Sequence, residues 1–375
     1  LDGVPVSLKD LFDTAGVETE AGSRLLAGRT PARDAACVAA LSAEGLVCLG
    51  KTHMSELAFS GLGVNPMAAT PPNRHDPDAA PGGSSSGAAA SVALGLAPWG
   101  LGSDTGGSVR IPAAWNDLVG LKTTWGLIPN EGVVPLSPSL DTVGPLTRTV
   151  EDAALALSAL TGRPPADLRG ATLRGAAFLV PETVMLQDLD PAIASAFDAA
   201  CSALEAAGAR VDRAAVPELA ETLEIAARDG ALVNTEGYAI WGEMIEANPD
   251  AIYPRIRERF RGGAAFTAPQ IDRARLAFAR LSKAVRARMA GYDALLSPTT
   301  PILPPKVERL LADEDYYVSR NLLALRTTRL GNLLGLCGLT VPTPTPCAGL
   351  LMTGRPFDEA RLLRLGSAVE AALAA

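Results

Sequence analysis

Pro81-Gly82-Gly83-Ser84-Ser85-Ser86-Gly87 and, 24 residues on from Ser84, Ser108 in Gly102-Ser103-Asp104-Thr105-Gly106-Gly107-Ser108-Val109-Arg110 are the two runs that decide how this chain is read. Serines in tight glycine turns expose their hydroxyls and bring backbone N–H groups close to a ligand. Between the runs, Gly87 to Leu96 is Ala-rich and predicts a helix, and Trp99 to Gly102 predicts a short strand. Gly106-Gly107-Ser108 therefore follows a strand and can open a helix, the geometry in which successive N–H groups hold an oxyanion. Phosphate binding is the other chemical use of such a turn. Neither Gly-x-x-x-x-Gly-Lys-Ser/Thr nor Gly-x-Gly-x-x-Gly occurs here, which argues against nucleotides. Taken singly, either run also reads as a purely structural turn.

A serine nucleophile needs somewhere to send its proton. The only histidines are His53 and His75, one at a strand end and one in the polar loop Asn73-Arg74-His75-Asp76-Pro77. No Gly-x-Ser-x-Gly elbow is present, so a Ser-His-Asp enzyme is disfavoured. Lysine occurs at five positions, Lys9, Lys51, Lys122, Lys283 and Lys306, while Arg supplies the remaining 28 of 33 basic residues. An overall bias toward Arg explains most of that. A position that keeps Lys then stands out, because only Lys can be deprotonated in a protein. Lys9 ends the apolar segment Val4-Pro5-Val6-Ser7-Leu8-Lys9, where burial would favour the neutral amine. No serine lies three residues before any lysine, so a Ser–Lys pairing must be made by the fold.

Further out, Val4–Leu8, Leu46–Gly50, Ala176–Val180, Tyr292–Pro298, Leu336–Val341 and Leu350–Met352 predict strands. Helices are expected at Ala32–Ala43, stopped by Gly45, from Thr149 as N-cap to Leu160, at Pro191–Ala207 and at Phe357–Ala374. Asn65 to Ser86 is loop chemistry. Strands alternating with helices favour an α/β fold with a mixed, largely parallel central sheet covered by helices on both faces.

With 48% hydrophobic and 20% charged residues, the 375-residue chain is globular rather than disordered. A formal charge of −8 without a Lys/Arg cluster argues against nucleic-acid binding, and no apolar run is long enough to span a membrane. Cys37, Cys48, Cys201, Cys337 and Cys347 form no CxxC pair. They read as reduced thiols of a cytoplasmic protein, with no metal site and no cofactor expected.

The two runs together resemble the signature of the amidase signature family. The likeness extends to Ile111-Pro112-Ala113, Gly120-Leu121-Lys122 and Ser139-Leu140-Asp141-Thr142-Val143-Gly144-Pro145. Upstream it includes Gly3-Val4-Pro5-Val6-Ser7-Leu8-Lys9-Asp10 and Gly50-Lys51-Thr52-His53-Met54-Ser55-Glu56. It is strong from Leu1 to about Leu160, loose to Asp293, and recovers at Leu296-Ser297-Pro298-Thr299-Thr300-Pro301 and Asn332-Leu333-Leu334-Gly335.

That resemblance implies one amidase domain over 1–375: a catalytic core at 1–160, a variable helix-rich substrate region at 167–290 and a return to the core at 291–375. An N-terminal segment of the family is expected to be missing, since the chain starts at Leu1 in what reads as core strand. Such segments often contribute to dimer contacts, so a homodimer stays open.

The implied chemistry is hydrolysis of a small carboxamide to carboxylate and ammonia by a Ser–cis-Ser–Lys triad. Ser108 is the expected nucleophile, Ser84 after a cis bond from Gly83 the relay, and Lys9 the base. Backbone N–H groups of Thr105, Gly106, Gly107 and Ser108 form the expected oxyanion hole. Ser85 is expected to hydrogen-bond Lys9. Asp104 and Arg110 support the site, more plausibly as an ion pair under the loop than as substrate contacts, and Lys122 reads as structural. Ser297 to Pro301 are candidates for the pocket mouth. Tyr238, Trp241 and Met244 read either as acyl-pocket lining or, preferred here, as helix packing. The alternatives are an A-type subunit of a tRNA-dependent amidotransferase and a non-catalytic binding protein on the same fold. Ser84-Ser85-Ser86-Gly87 departs from the Ser-Ser-Gly-Gly usual in such subunits, and the stretch Pro346 to Met352 lacks their longer hairpin.

Overall fold

Short apolar runs bounded by Gly and Pro become strands, and ten of them join in one sheet in the computed structural model, which describes residues 1–230 and 232–375. They are β1 (Pro5–Lys9), β2 (Val47–Thr52), β3 (Trp99–Ser103), β4 (Val119–Lys122), β5 (Val143–Thr147), β6 (Ala177–Pro181), β7 (Arg210–Ala214), β8 (Ala294–Pro298), β9 (Cys337–Pro342) and β10 (Gly349–Gly354). Their order is β2-β1-β3-β5-β4-β9-β10-β8-β6-β7.

The α/β class and the mixed sheet are as expected, and the pairing has a definite layout. Two parallel wings, β2-β1-β3 and β8-β6-β7, flank an antiparallel centre. The wings have helical crossovers, such as Ala36–Ala43 between β1 and β2 and Ser86–Ala93 between β2 and β3. β9 and β10 are linked only by residues 343–348, too few for a crossover, so they must pair antiparallel.

Helices cover both faces. On one, Ala88, Ala89 and Val92 of helix Ser86–Ala93 meet Val109, Ala113 and Leu146. On the other, Val119, Leu121, Leu339 and Val341 pack against Val150 and Ala153 of helix Val150–Thr161 and Leu362, Leu363 and Val369 of helix Glu359–Leu373. Thr149 caps the first of these, its Oγ1 accepting from Asp152 N–H at 3.0 Å.

Helix Ser86–Ala93 reads Ser-Gly-Ala-Ala-Ala-Ser-Val-Ala, so it carries no large side chain and lies close to the sheet. That approach brings the Ser84–Ser86 turn down to the carboxyl ends of β1 and β3. In parallel α/β sheets, ligand sites form at those ends.

Three strands escape the sequence reading. β5 contains Gly144 and Pro145, which signal a turn, yet it sits inside the sheet. β4 is only four residues long, and β7, mostly polar, is an edge strand. The stretch 167–290 thus supplies β6 and β7 to the sheet as well as its helices. Among the described residues no helix is long and apolar enough to cross a membrane.

Candidate active site

Alternation along β1 sends Val6 and Leu8 to one face and Ser7 and Lys9 to the other. Ser7 Oγ lies 2.8 Å from Ser91 Oγ on helix Ser86–Ala93, so Lys9 points to the face that this helix covers. Its Nζ donates to Ser84 Oγ at 2.7 Å and to Ser103 Oγ at 2.8 Å. Lys9, Ser84 and Ser85 are fully buried. Burial lowers the Lys9 pKa to about 7, against a smaller upward pull from the Asp104 and Asp141 carboxylates. The Gly83–Ser84 peptide is cis.

Ser85 does not bond Lys9. Its Oγ instead donates to Ser103 O at 3.2 Å and accepts from Ser103 N–H at 3.3 Å. The hydrogen bond to Lys9 expected of Ser85 is made by Ser103 instead, because β3 lies beside β1 in parallel register, with Leu8 opposite Leu101. The sequence marks Ser103 as following a short strand, but not that this strand lies beside β1.

The turn 104–109 is organised by Asp104. Its carboxylate accepts from Gly107 N–H at 2.7 Å, Val109 N–H at 3.2 Å, Arg110 Nε and Nη2 at 3.0 Å each, and Asn332 Nδ2 at 3.0 Å. Burial pushes its pKa up, but the Arg110 charge and hydrogen bonds, aided by Lys122 and Asn332, hold it well below the usual carboxylate range. Arg110 also donates from Nη2 to Asn332 Oδ1 at 2.6 Å, and both charged groups are fully buried.

One expectation for the oxyanion hole is corrected here. The Gly107 N–H is consumed by Asp104 and cannot also bind a ligand oxygen. The N–H groups of Thr105, Gly106 and Ser108 have no protein acceptor among the described residues. Gly107 serves the turn differently: it has φ +142°, and a Cβ there would collide with Thr328 Oγ1. That Thr328 hydroxyl donates to Gly106 O at 2.7 Å. Thr105 Oγ1 donates to Asp141 Oδ1 at 2.5 Å. Burial raises the Asp141 pKa to about 6, against hydrogen bonds from Thr105 and the Leu136 and Ser137 amides.

Ser108 lines a cavity of about 400 Å³ together with Thr105 and Gly106. Its Oγ makes no hydrogen bond among the described residues, and Ser85 N–H donates to its carbonyl at 3.2 Å. Most of the cavity wall comes from 226–259 and 314–333, the regions least legible in sequence. Ser297 to Pro301 do not line it: Thr299 and Thr300 are buried, and Thr300 Oγ1 accepts from Trp115 Nε1 at 3.1 Å. Trp241 is core, donating from Nε1 to Pro135 O at 2.9 Å, and Tyr238 and Met244 also lie outside the lining. Lys122 donates to Thr123 O and Leu336 O at 2.8 and 2.9 Å. Neither histidine reaches the cavity, and His75 faces Asp117 instead. No cluster of three or more His, Cys, Asp or Glu side chains among the described residues is arranged to hold a metal.

The Asp104–Arg110 pair carries a stability prediction. Asp104→Asn keeps the shape but strands a buried guanidinium, which costs about 3–5 kcal/mol. A denaturant titration should show the loss at neutral pH. The pKa of Asp104 is depressed, so its contribution is complete above about 3.8 and fades as pH falls toward the folded-state value. The gap between wild type and variant should therefore narrow in acid. Equal stability at neutral pH would remove the pair as the organiser of the turn.

The model of the family described as Amidase matches residues 1–363. A 2-amino-5-chloromuconic acid deaminase of Comamonas testosteroni is 39% identical, over 99% of this chain and 82% of that protein. The A-type subunit of the glutamyl-tRNA(Gln) amidotransferase of Carboxydothermus hydrogenoformans is 34% identical, over 99% of this chain and 83% of that one. A solved structure described as the crystal structure of amidase has a TM-score of 0.89 at 31% identity, covering 100% of this chain and 85% of its own.

Proposed function

The chain belongs to the amidase family, hydrolases acting on the carbon–nitrogen bonds of amides, and from that premise we propose that it converts a small carboxamide to carboxylate and ammonia through an acyl-enzyme on Ser108. The observation that carries this reading is the buried Lys9 amine, held 2.7 Å from Ser84 Oγ with its pKa lowered to about 7. A neutral amine has two N–H donors and one lone pair. With Ser103 Oγ accepting one N–H, the lone pair is left for the Ser84 proton.

Ser108 Oγ attacks the carbonyl carbon. Its proton passes to Ser84 Oγ while the Ser84 proton passes to Lys9 Nζ. The carbonyl electrons move onto oxygen, where the Thr105, Gly106 and Ser108 amides stabilise the charge. Lys9 returns its proton through Ser84 to the amide nitrogen, and collapse of the intermediate breaks the carbon–nitrogen bond and expels ammonia. Water then opens the ester by the same relay, restoring Ser108. The Ser84 and Ser108 hydroxyls make no hydrogen bond to each other, and such contacts commonly tighten only once substrate binds.

Partner-free protein should release ammonia from simple carboxamides, and hydroxylamine should divert the acyl group to a hydroxamate. The A-type component of a tRNA-dependent amidotransferase is the second reading, favoured by the 34% identity to such a protein across nearly the whole chain. Ammonia release that appears only when charged tRNA and a partner protein are added would replace the first reading with the second.

A further inference from the structure

A donor displaced by about 1 Å from a reacting oxygen can cost about 10²-fold in rate, so the peptides carrying the free amides beside Ser108 must be firmly held. Three consecutive peptides are involved, and they are not held alike. The carbonyl of the Asp104–Thr105 peptide accepts from Thr142 Oγ1 at 2.7 Å, Asn332 Nδ2 at 3.0 Å and Thr142 N–H at 3.2 Å. That peptide is trans and planar, so fixing its carbonyl fixes the Thr105 N–H opposite. The Gly106–Gly107 peptide is held at both ends, its carbonyl by Thr328 Oγ1 and its N–H by the Asp104 carboxylate.

The Thr105–Gly106 peptide between them has neither support. Its carbonyl finds no donor and its N–H no acceptor among the described residues. Yet it carries one of the three amides left for substrate. Gly106 has no side chain, which leaves the Thr105 side chain as the handle on this peptide. Thr105 is buried, and its hydroxyl donates to Asp141 Oδ1 at 2.5 Å.

Asp141 is itself well anchored. Its Oδ2 accepts from Leu136 N–H at 3.0 Å and Ser137 N–H at 2.9 Å, its own N–H donates to Ser137 O at 2.8 Å, and its carbonyl accepts from Asn130 Nδ2 at 2.7 Å. The loop supplying most of these bonds is braced in turn by Glu236 of helix Leu232–Ala247. That carboxylate accepts from Ser137 Oγ at 2.8 Å, Ser139 Oγ at 2.6 Å and Ser139 N–H at 3.1 Å. Asp141 does not line the cavity at Ser108, although Leu136 and Leu140 of the same loop do. Its route to the reaction is therefore through Thr105.

We propose that Asp141 is a positioning residue: through the Thr105 hydroxyl it holds the Thr105–Gly106 peptide in place, so that the Gly106 amide is set for the oxyanion formed at Ser108. This rests on the amide-hydrolase reading above and adds to it a residue that acts from behind the turn. A carboxylate suits the position, since one oxygen takes the two loop amides while the other stays free for the hydroxyl. The same side chain thereby ties a cavity wall, at Leu136 and Leu140, to the oxyanion-binding turn.

The test is Thr105→Val, which removes the hydroxyl at nearly equal volume, assayed on butyramide and benzamide. Its kcat should fall about 10²-fold while KM stays within about threefold of wild type. Thr105→Ser, which keeps the hydroxyl, should regain at least about tenfold of that loss. Asp141→Ala should lower kcat at least as far, and adding Thr105→Val to it should cost less than about threefold more, because both remove one hydrogen bond. A Thr105→Val loss confined to KM, a loss that Thr105→Ser does not regain, or fully additive losses in the double variant would overturn the proposal. Should Asp141→Ala not fold, Thr105→Val and Thr105→Ser still decide. Phenylmethanesulfonyl fluoride reads the same turn without an amide: Ser108 Oγ takes the sulfonyl group, and fluoride and the serine proton leave. Its rate of labelling Ser108, followed by mass spectrometry, should drop at least about tenfold in Thr105→Val. If wild type releases ammonia from neither amide yet labelling slows in this way, the role of Asp141 stands and the hydrolase reading is what fails. Wild type that neither opens an amide nor labels at Ser108 would overturn both.

Discussion

Ser108→Ala is expected to lower kcat for amide hydrolysis by about 10⁴-fold or more, the scale on which removing a nucleophile from a cooperating triad acts. The loss should fall on kcat rather than KM, because the Thr105 and Gly106 amides and the cavity walls remain to bind the amide. Hydroxamate formation with hydroxylamine should vanish with it. The variant is well suited to this test. The Ser108 hydroxyl makes no hydrogen bond among the described residues, so alanine strands no buried partner. Unfolding stability should stay within about 1 kcal/mol of wild type. Near-wild-type turnover by Ser108→Ala would sink the acyl-enzyme.

Lys9→Met should cost about 10²–10⁴-fold in kcat/KM at neutral pH, the range for a positioned general base. The pH profile separates this from a structural effect. In wild type the reactive form has Lys9 neutral, so kcat/KM should fall about tenfold per pH unit below the Lys9 pKa of about 7 and level off above it. Lys9→Met should lose that limb and recover part of its activity only as hydroxide rises. Stability should move the other way. The lysine pKa is depressed from 10.5 to about 7, so burying the amine weakens the fold increasingly as pH falls across that window and by a constant amount below it. Methionine carries no such penalty. Lys9→Met should therefore resist unfolding relatively better at pH 6 than at about pH 10. A wild-type kcat/KM that is flat across pH 7 would remove Lys9 as the base.

Much of the framework was legible because its signals are short-range. A five-residue apolar run ending in Lys9, an N-cap at Thr149 followed by two acids, and glycine turns around Ser84 and Ser108 each act over a few residues. The strands that were missed obey long-range forces. β5 carries a Gly-Pro pair that locally reads as a turn and is held extended by neighbours on both sides. In the site, the sequence pointed to Lys9, Ser84 and Ser108 but not to Ser103, whose role depends on which strand lies next to β1. It also assigned Gly107 to the oxyanion hole, where a carboxylate three residues back takes the N–H first.

By itself, then, the sequence determined the α/β class, the two serine turns and the burial of Lys9 at the end of an apolar strand, because hydrophobic periodicity and glycine turns are local properties. Only the tertiary structure decided how those parts are charged and paired. Lys9 is near neutral because the fold removes it from water, and Asp104 is ionised because Arg110 and Asn332, the latter 228 residues away, converge on it. Desolvation and ion pairing depend on where distant segments meet, and no window of sequence contains that information.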